Sequence, residues 1–278
     1  MSEAVQTNQE IQHESTLFAE PIAHIGDFSI TNSLIVSWAT VIILVAFFVL
    51  IGKKIGKIPK GLQNIFEIIL EESLKLGDSV TGDRKKTEKF LPIALALFLF
   101  VLINNWLGLL PGVGTVGFVE TEGSHSIFVP ILRGGTADLN TTLAIALIAV
   151  VASHVMGVLA VGFWKHLNKF INLEVFLEIP KKIKKDPSII LVNPIKAFVG
   201  VVEIIGEVAK VASLSFRLFG NIFAGEVLLA SMMALFAFFL PLPFMFLEII
   251  VGIIQALIFA MLTLVFMTIA TQDHSQEH

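Results

Sequence analysis

Charged side chains interrupt two of the most apolar parts of this sequence. Glu203, Glu207, Lys210, Arg217 and Glu226 lie, with Lys196, between Ile195 and Leu240, and Glu248 lies between Phe244 and Thr271. An ionisable group inside a hydrocarbon-spanning helix costs several kcal/mol, so it marks an ion path or a paired contact. At about 100° per residue, Glu203, Glu207, Lys210 and Arg217 fall on one helix face, and Asn221 follows Arg217 by one turn. Glu226, nine residues beyond Arg217, faces the opposite way. Glu248 and Gln255, seven residues apart, share a face of the last apolar stretch. Counted from a turn at Pro241-Leu242-Pro243, Glu226 and Glu248 sit 15 and 5 residues away, at unequal depths unless the helices bend.

Arg217 sets the chemistry. A guanidinium does not lose its proton, so it is a fixed positive charge and not a carrier. Such a cation in low dielectric repels a free proton and favours the ionised form of any carboxylate brought near. That is the behaviour of a gate between two half-channels, lined by the neighbouring carboxylates and Gln255. Plainer readings stand beside this one. Glu207 and Lys210 have the spacing of a helical ion pair, Glu226 and Glu248 suit pairing with cations on other helices, and Asn221 and Gln255 suit hydrogen bonds between helices. His154, midway along its own apolar stretch, reads as a packing residue. Gly112-Val113-Gly114 and Gly134-Gly135 lack phosphate-loop spacing and read as loop.

The elements that must position these groups follow from composition. The chain of 278 residues is 55% hydrophobic and 15% charged, with a mean hydropathy of +0.84. Soluble domains carry about 25% charged residues, so this one is built for lipid. The absence of cysteine removes disulfides, thiolate metal sites and thiol nucleophiles, and a net charge of −4 does not point to nucleic acid. Apolar runs of spanning length begin with Ser33–Ile51, Phe90–Leu110 and Leu139–Phe163. The long run Ile195–Leu240 either breaks near Gly220-Asn221 into two spans or continues as one tilted helix, and Phe244–Thr271 is the last. Pro59–Ser79 sets Leu62, Ile65, Phe66, Ile69, Leu70 and Leu74 at helical spacing against Glu67, Glu71 and Glu72, which predicts an amphipathic helix on the inner face of the membrane.

Lysine and arginine orient the spans. Gly52–Lys89 holds nine of them and Lys165–Pro194 holds six lysines, whereas Pro111–Asp138 holds only Arg133 and the N-terminal tail none. The tail, with Glu3, Glu10, Glu14, Glu20 and Asp27, is therefore expected outside and both lysine-rich connections inside. Five crossings put the C-terminus inside, and six put it outside. Trp38, Trp106 and Trp164 lie near span ends, as interfacial anchors do.

Ser215-Phe216-Arg217-Leu218-Phe219-Gly220-Asn221 with Ala224-Gly225-Glu226 resembles the signature of the F-type ATP synthase a subunit family, and Gln255-Ala256-Leu257-Ile258-Phe259 resembles its last-helix motif. Phe90–Gly112, Thr136–Leu143, Ile58–Glu72 and Ile30–Trp38 are similar in the same order. The resemblance implies five transmembrane helices, the last two a long tilted hairpin beside a ring of c subunits, and a cytoplasmic C-terminus. It implies further partners in the peripheral-stalk b subunits, no cofactor or metal, and no catalysis by the chain itself. Arg217 then resembles the essential arginine facing the ring carboxylate, Glu226 an outer half-channel acid, and Glu203 an inner one. Asn221, Gln255 and Lys210 match polar positions of the family. Position 248 often holds histidine in relatives, and here it is Glu248. Glu207 is an extra acid to which the resemblance gives no role.

The expectation is an all-α polytopic membrane protein: an external polar tail over 1–32, one transmembrane domain over 33–271 and a short tail over 272–278. It conducts protons in a bacterial plasma membrane. A stand-alone secondary transporter or ion channel built on the same buried charges is the alternative.

Overall fold

A computed structural model describes residues 16–53, 56, 61–122, 125–171, 189–236 and 239–272. Glu3, Glu10 and Glu14, and Lys181, Lys182, Lys184 and Lys185, which carry part of the orientation argument, lie outside the described residues. The helices are α1 (Asn32–Gly52), α2 (Leu62–Thr81), α3 (Arg84–Gly108), α4 (Leu139–Val161), α5 (Phe163–Ile171), α6 (Ile189–Leu235) and α7 (Pro241–Ala270). Five are long and apolar enough to cross a membrane: α1, α3, α4, the Phe198–Leu235 part of α6, and α7.

The 47-residue stretch of α6 runs without a break through Gly220-Asn221. A glycine inside a helix costs about 1 kcal/mol against alanine, too little to end one. Pro241 and Pro243 form the first turn of α7 and not a turn between helices, as the sequence suggested. N–H groups in a first turn have no acceptor within the helix, so proline loses nothing there and its fixed φ fits.

α2 is the expected amphipathic helix, with Glu67, Glu71 and Glu72 exposed. Gly82, at φ +67°, turns the chain sharply from α2 into α3, a conformation open to glycine. Asp83 then caps α3 by accepting the Lys85 N–H at 3.0 Å, and Arg84 reaches back to Asp78 at 2.8 Å. Two antiparallel hairpins, which the hydropathy pattern left as tail and loop, are also present. β1 (Pro21–Ile25) pairs with β2 (Phe28–Thr31) just before α1; past β3 (Pro111–Gly114), β4 (Gly117–Glu122) pairs with β5 (His125–Pro130).

Contacts gather in two compact units. The first comprises Met1–Gln63, Phe98–Thr142 and Phe216–Leu257, and the second Asn64–Leu97, Leu143–Ser215 and Ile258–His278. The interior of the first is largely polar: Asn32, Ser37, Asn104, Asn105, Thr136 and Asp138 are all buried. The second packs Phe90, Ala94, Leu264 and Met267 into an apolar core, flanked by Val80, Met156 and Met261.

Candidate functional site

In the first unit the sequence 130–138 folds back as a 3-10 turn over Gly135–Ala137, and this brings Arg133 inside. The Arg133 side chain is 4% exposed. Its Nε donates to both oxygens of Glu226, at 3.1 and 3.3 Å, and Nη2 donates to Oε2 at 3.1 Å. The remaining donors go to the Thr16 hydroxyl (3.1 Å) and to the carbonyls of Phe18 (3.3 Å) and Thr16 (2.8 Å). Two parallel N–H···O contacts fix a carboxylate in orientation as well as in charge. Sequence reasoning used Arg133 only as a loop charge. The usable signal was a lone cation in an otherwise base-poor connection, in a chain with carboxylates to neutralise.

Glu248, on α7, is 6% exposed and its carboxyl rests against Gly225, where a side chain on that residue would stand. The two acids expected at unequal depths are therefore neighbours in level. The physical reason is the helix boundary: Glu226 is nine residues before the end of α6 and Glu248 seven after the start of α7. At 1.5 Å per residue those are about 13 and about 10 Å.

Deeper in the same pair of helices, Asn221 Nδ2 donates to Gln255 Oε1 at 2.8 Å. Gln255 is 3% exposed, and its Nε2 is a buried donor with no acceptor among the described residues. The α7 backbone between Glu248 and Gln255 is held from α3. Asn105 Nδ2 donates to Gly252 O at 3.3 Å and Trp106 Nε1 to Ile249 O at 3.4 Å. Asn105 Oδ1 in turn accepts from Thr136 Oγ1 at 2.7 Å, and Asn104 Oδ1 accepts from Gly135 N at 2.9 Å. The turn that carries Arg133 and the helix that carries Glu248 thus hang on adjacent asparagines. Asp138 caps α4, accepting from the Thr141 N–H at 3.2 Å, and also accepts from Thr141 Oγ1 at 2.8 Å, Ala19 N at 3.1 Å and Ser33 Oγ at 3.2 Å.

Arg217 stands on the exposed side of α6 with Phe216, Gly220, Asn221 and Ala224, while Leu218 and Phe219 point inward. Among the described residues, nothing outside the helix's own turn lies within 4 Å of where a Gly220 side chain would begin, so open backbone borders the arginine. Glu226 is not on this side, as its spacing required.

In the second unit, Glu203 is half-buried. Glu207, one turn further, accepts from Lys210 Nζ at 2.7 Å, which is the helical pair anticipated from spacing. His154 is not simply packed among apolar neighbours: its Nε2 lies 3.4 Å from Glu207 Oε2.

Residues 34–268 match the sequence profile described as ATP synthase A chain. The chain is similar to the "ATP synthase subunit a" of Syntrophobacter fumaroxidans, 34% identical over 242 residues that cover 87% of this chain and 84% of that one. The corresponding protein of Gloeobacter violaceus is 32% identical over 249 residues, 89% of this chain and 86% of its own. That of Moorella thermoacetica is 28% identical over 253 residues, covering 91% and 96%.

Proposed function

Because the chain belongs to the ATP synthase A chain family, we propose that it is the proton-conducting stator subunit of a rotary F-type ATP synthase, working against the ring of c subunits. A proton from the outer side passes Glu226 and Glu248 in one half-channel and neutralises a ring carboxylate, which then turns into lipid. After nearly a full revolution that carboxyl meets Arg217 and releases its proton, which leaves past Glu203 through the second half-channel. Asn221 and Gln255 line the approach to Arg217, and Lys210 balances the acids of the inner path. The chain makes and breaks no covalent bond itself; ATP is formed on catalytic partner subunits, held by the peripheral-stalk b subunits. The setting is a bacterial plasma membrane, with the N-terminus outside and the C-terminus in the cytoplasm.

One observation carries this reading. Arg217 is a cation on the exposed side of a membrane-crossing helix, bordered by the open backbone at Gly220. Facing lipid, that charge is costly, and small residues let another helix approach closely. An acidic helix surface in the membrane is the occupant that suits both features. The test is ATP-driven acidification of inverted vesicles by the assembled complex. Arg217→Ala is expected to abolish it with assembly intact, and retained acidification overturns the gate.

A further inference from the structure

Within the second unit, four polar side chains from three helices form a line. Lys210 Nζ contacts Glu207 Oε1 at 2.7 Å, and Glu207 Oε2 faces His154 Nε2 at 3.4 Å. His154 Nδ1 meets His166 Nε2 at 3.2 Å. Glu207 Oε2 is buried and has no hydrogen-bond donor closer than this among the described residues. Phe170 packs edge-on against both imidazoles, and Lys210 stacks on the Phe266 ring at 5.1 Å. His166 closes over Gly157: a methyl there would come within 2.7 Å of its Cε1. A cavity of about 300 Å³ borders His154, His166 and Glu207, its other walls apolar.

α4 carries no other ionisable residue and the Ile258–Ala270 part of α7 carries none; α5 brings His166 and also carries Lys165 and Lys169, and α6 brings Glu207 and Lys210 and also carries Glu203. The cluster is not a metal centre. The two nitrogens of His154 are engaged in different directions, and no three ligands converge among the described residues.

We propose that His154 is a proton-transfer residue, passing protons between Glu207 and His166 on the lysine-rich side of the membrane. This rests on the stator reading above and adds a second arm, one helical turn from Glu203, to the inner path. In the release direction, protonated Glu207 gives its proton to His154 Nε2 while His154 Nδ1–H passes to the lone pair of His166 Nε2. His166, now an imidazolium, sheds the proton of its other nitrogen to water. One proton is moved and Glu207 is again a carboxylate beside Lys210; each imidazole ends with its proton on Nε2 and returns it to Nδ1, by rotation of the ring or by exchange, before the next transfer. An imidazole suits this work because it accepts at one nitrogen while donating from the other, with a natural proton affinity near neutrality. Lys210 holds Glu207 in place and takes no part in the transfer.

The test uses the intact complex in inverted vesicles, with the bath on the lysine-rich side. His154→Ala is expected to slow ATP-driven acidification, with the loss largest in an alkaline bath, where free protons are scarce. The enlarged cavity admits imidazole, and millimolar imidazole in the bath is expected to restore most of the rate, whereas an equal concentration of a non-titrating analogue does nothing. His154→Gln keeps bulk and hydrogen bonding but carries no proton, and is expected to stay slow; it decides the matter if His154→Ala does not assemble. Normal pumping by His154→Gln, or an assembled His154→Ala whose loss imidazole does not relieve, overturns the proposal. Arg217→Ala serves as the control: pumping by that variant sinks the stator reading, while its silence beside a normal His154→Gln sinks only the relay.

Discussion

Around Glu226 the cation is an arginine with its side chain 4% exposed, whereas around Glu207 it is a half-buried lysine accompanied by two imidazoles. The first group holds its carboxylate with a forked, permanently charged partner and backbone carbonyls. The second sets a lysine on one carboxylate oxygen and a pair of imidazoles by the other. A site built on a guanidinium fixes where charge stands; one built on imidazoles lets charge move. Glu226 is thus held in one orientation, while its neighbour Glu248 is pressed on Gly225 with no cation beside it among the described residues.

The sharpest way to break this contrast is to remove the fixed cation. Arg133→Ala leaves Glu226 without its partner and frees the Thr16–Phe18 segment. Breaking a fully buried pair from one side typically costs about 3–5 kcal/mol; the Glu226 side chain is 30% exposed, so a smaller loss, read as a lowered thermal midpoint of the purified complex, is the expected result. Arg133→Lys keeps the charge but not the fork and is expected to fall between. Adding Glu226→Gln to Arg133→Ala is expected to recover part of the loss, since the uncompensated charge is then gone. If Arg133→Ala melts like the wild type, the pair does not fix charge in the way argued here.

How far these groups could be read from sequence follows from how local their causes are. The five membrane-crossing helices and amphipathic α2 were legible because hydropathy and period are properties of a single segment. The continuity of α6 was not settled by residue spacing: Gly220 has the composition of a break but not the energy for one. The level shared by Glu226 and Glu248 is not legible in the spacing, because Pro241 and Pro243 read as a turn although a first helical turn accepts them. Arg133 and Glu226 are 93 residues apart, and nothing local in either segment announces the other. His154 likewise has an unremarkable apolar neighbourhood in sequence, and only the packing of α4 against α5 and α6 in the second unit supplies its partners.

A smaller effect sharpens the Glu248 half of the contrast. Gly225→Ala places a methyl where the Glu248 carboxyl now lies. Overpacking of this kind costs about 1–3 kcal/mol, here by driving Glu248 off its seat. Combining it with Glu248→Ala is expected to recover the thermal midpoint while leaving proton pumping impaired. Recovery of both would show that Glu248 only fills space.

The smallest expected effect comes from a pair of the same chemistry set in water. Arg84 and Asp78 meet at 2.8 Å, closer than the 3.1 Å of Arg133 and Glu226, yet their side chains are 48% and 35% exposed. The Arg84 guanidinium, donating to Asp78, holds that carboxyl below its ordinary value of 3.8. A depressed carboxylate contributes stability that is present above its unfolded value and is lost as pH falls through the folded one. The contribution of this pair is therefore complete at neutral pH and fades only below 3.8. Exposed pairs are screened and contribute little, so Arg84→Gln is expected to leave the neutral-pH thermal midpoint where it was. Its mark is a flatter fall of α2 amide protection as acid is added below 3.8, read by hydrogen exchange. An Arg84→Gln loss at neutral pH as large as that of Arg133→Ala would show that burial of the arginine is not what separates the two pairs.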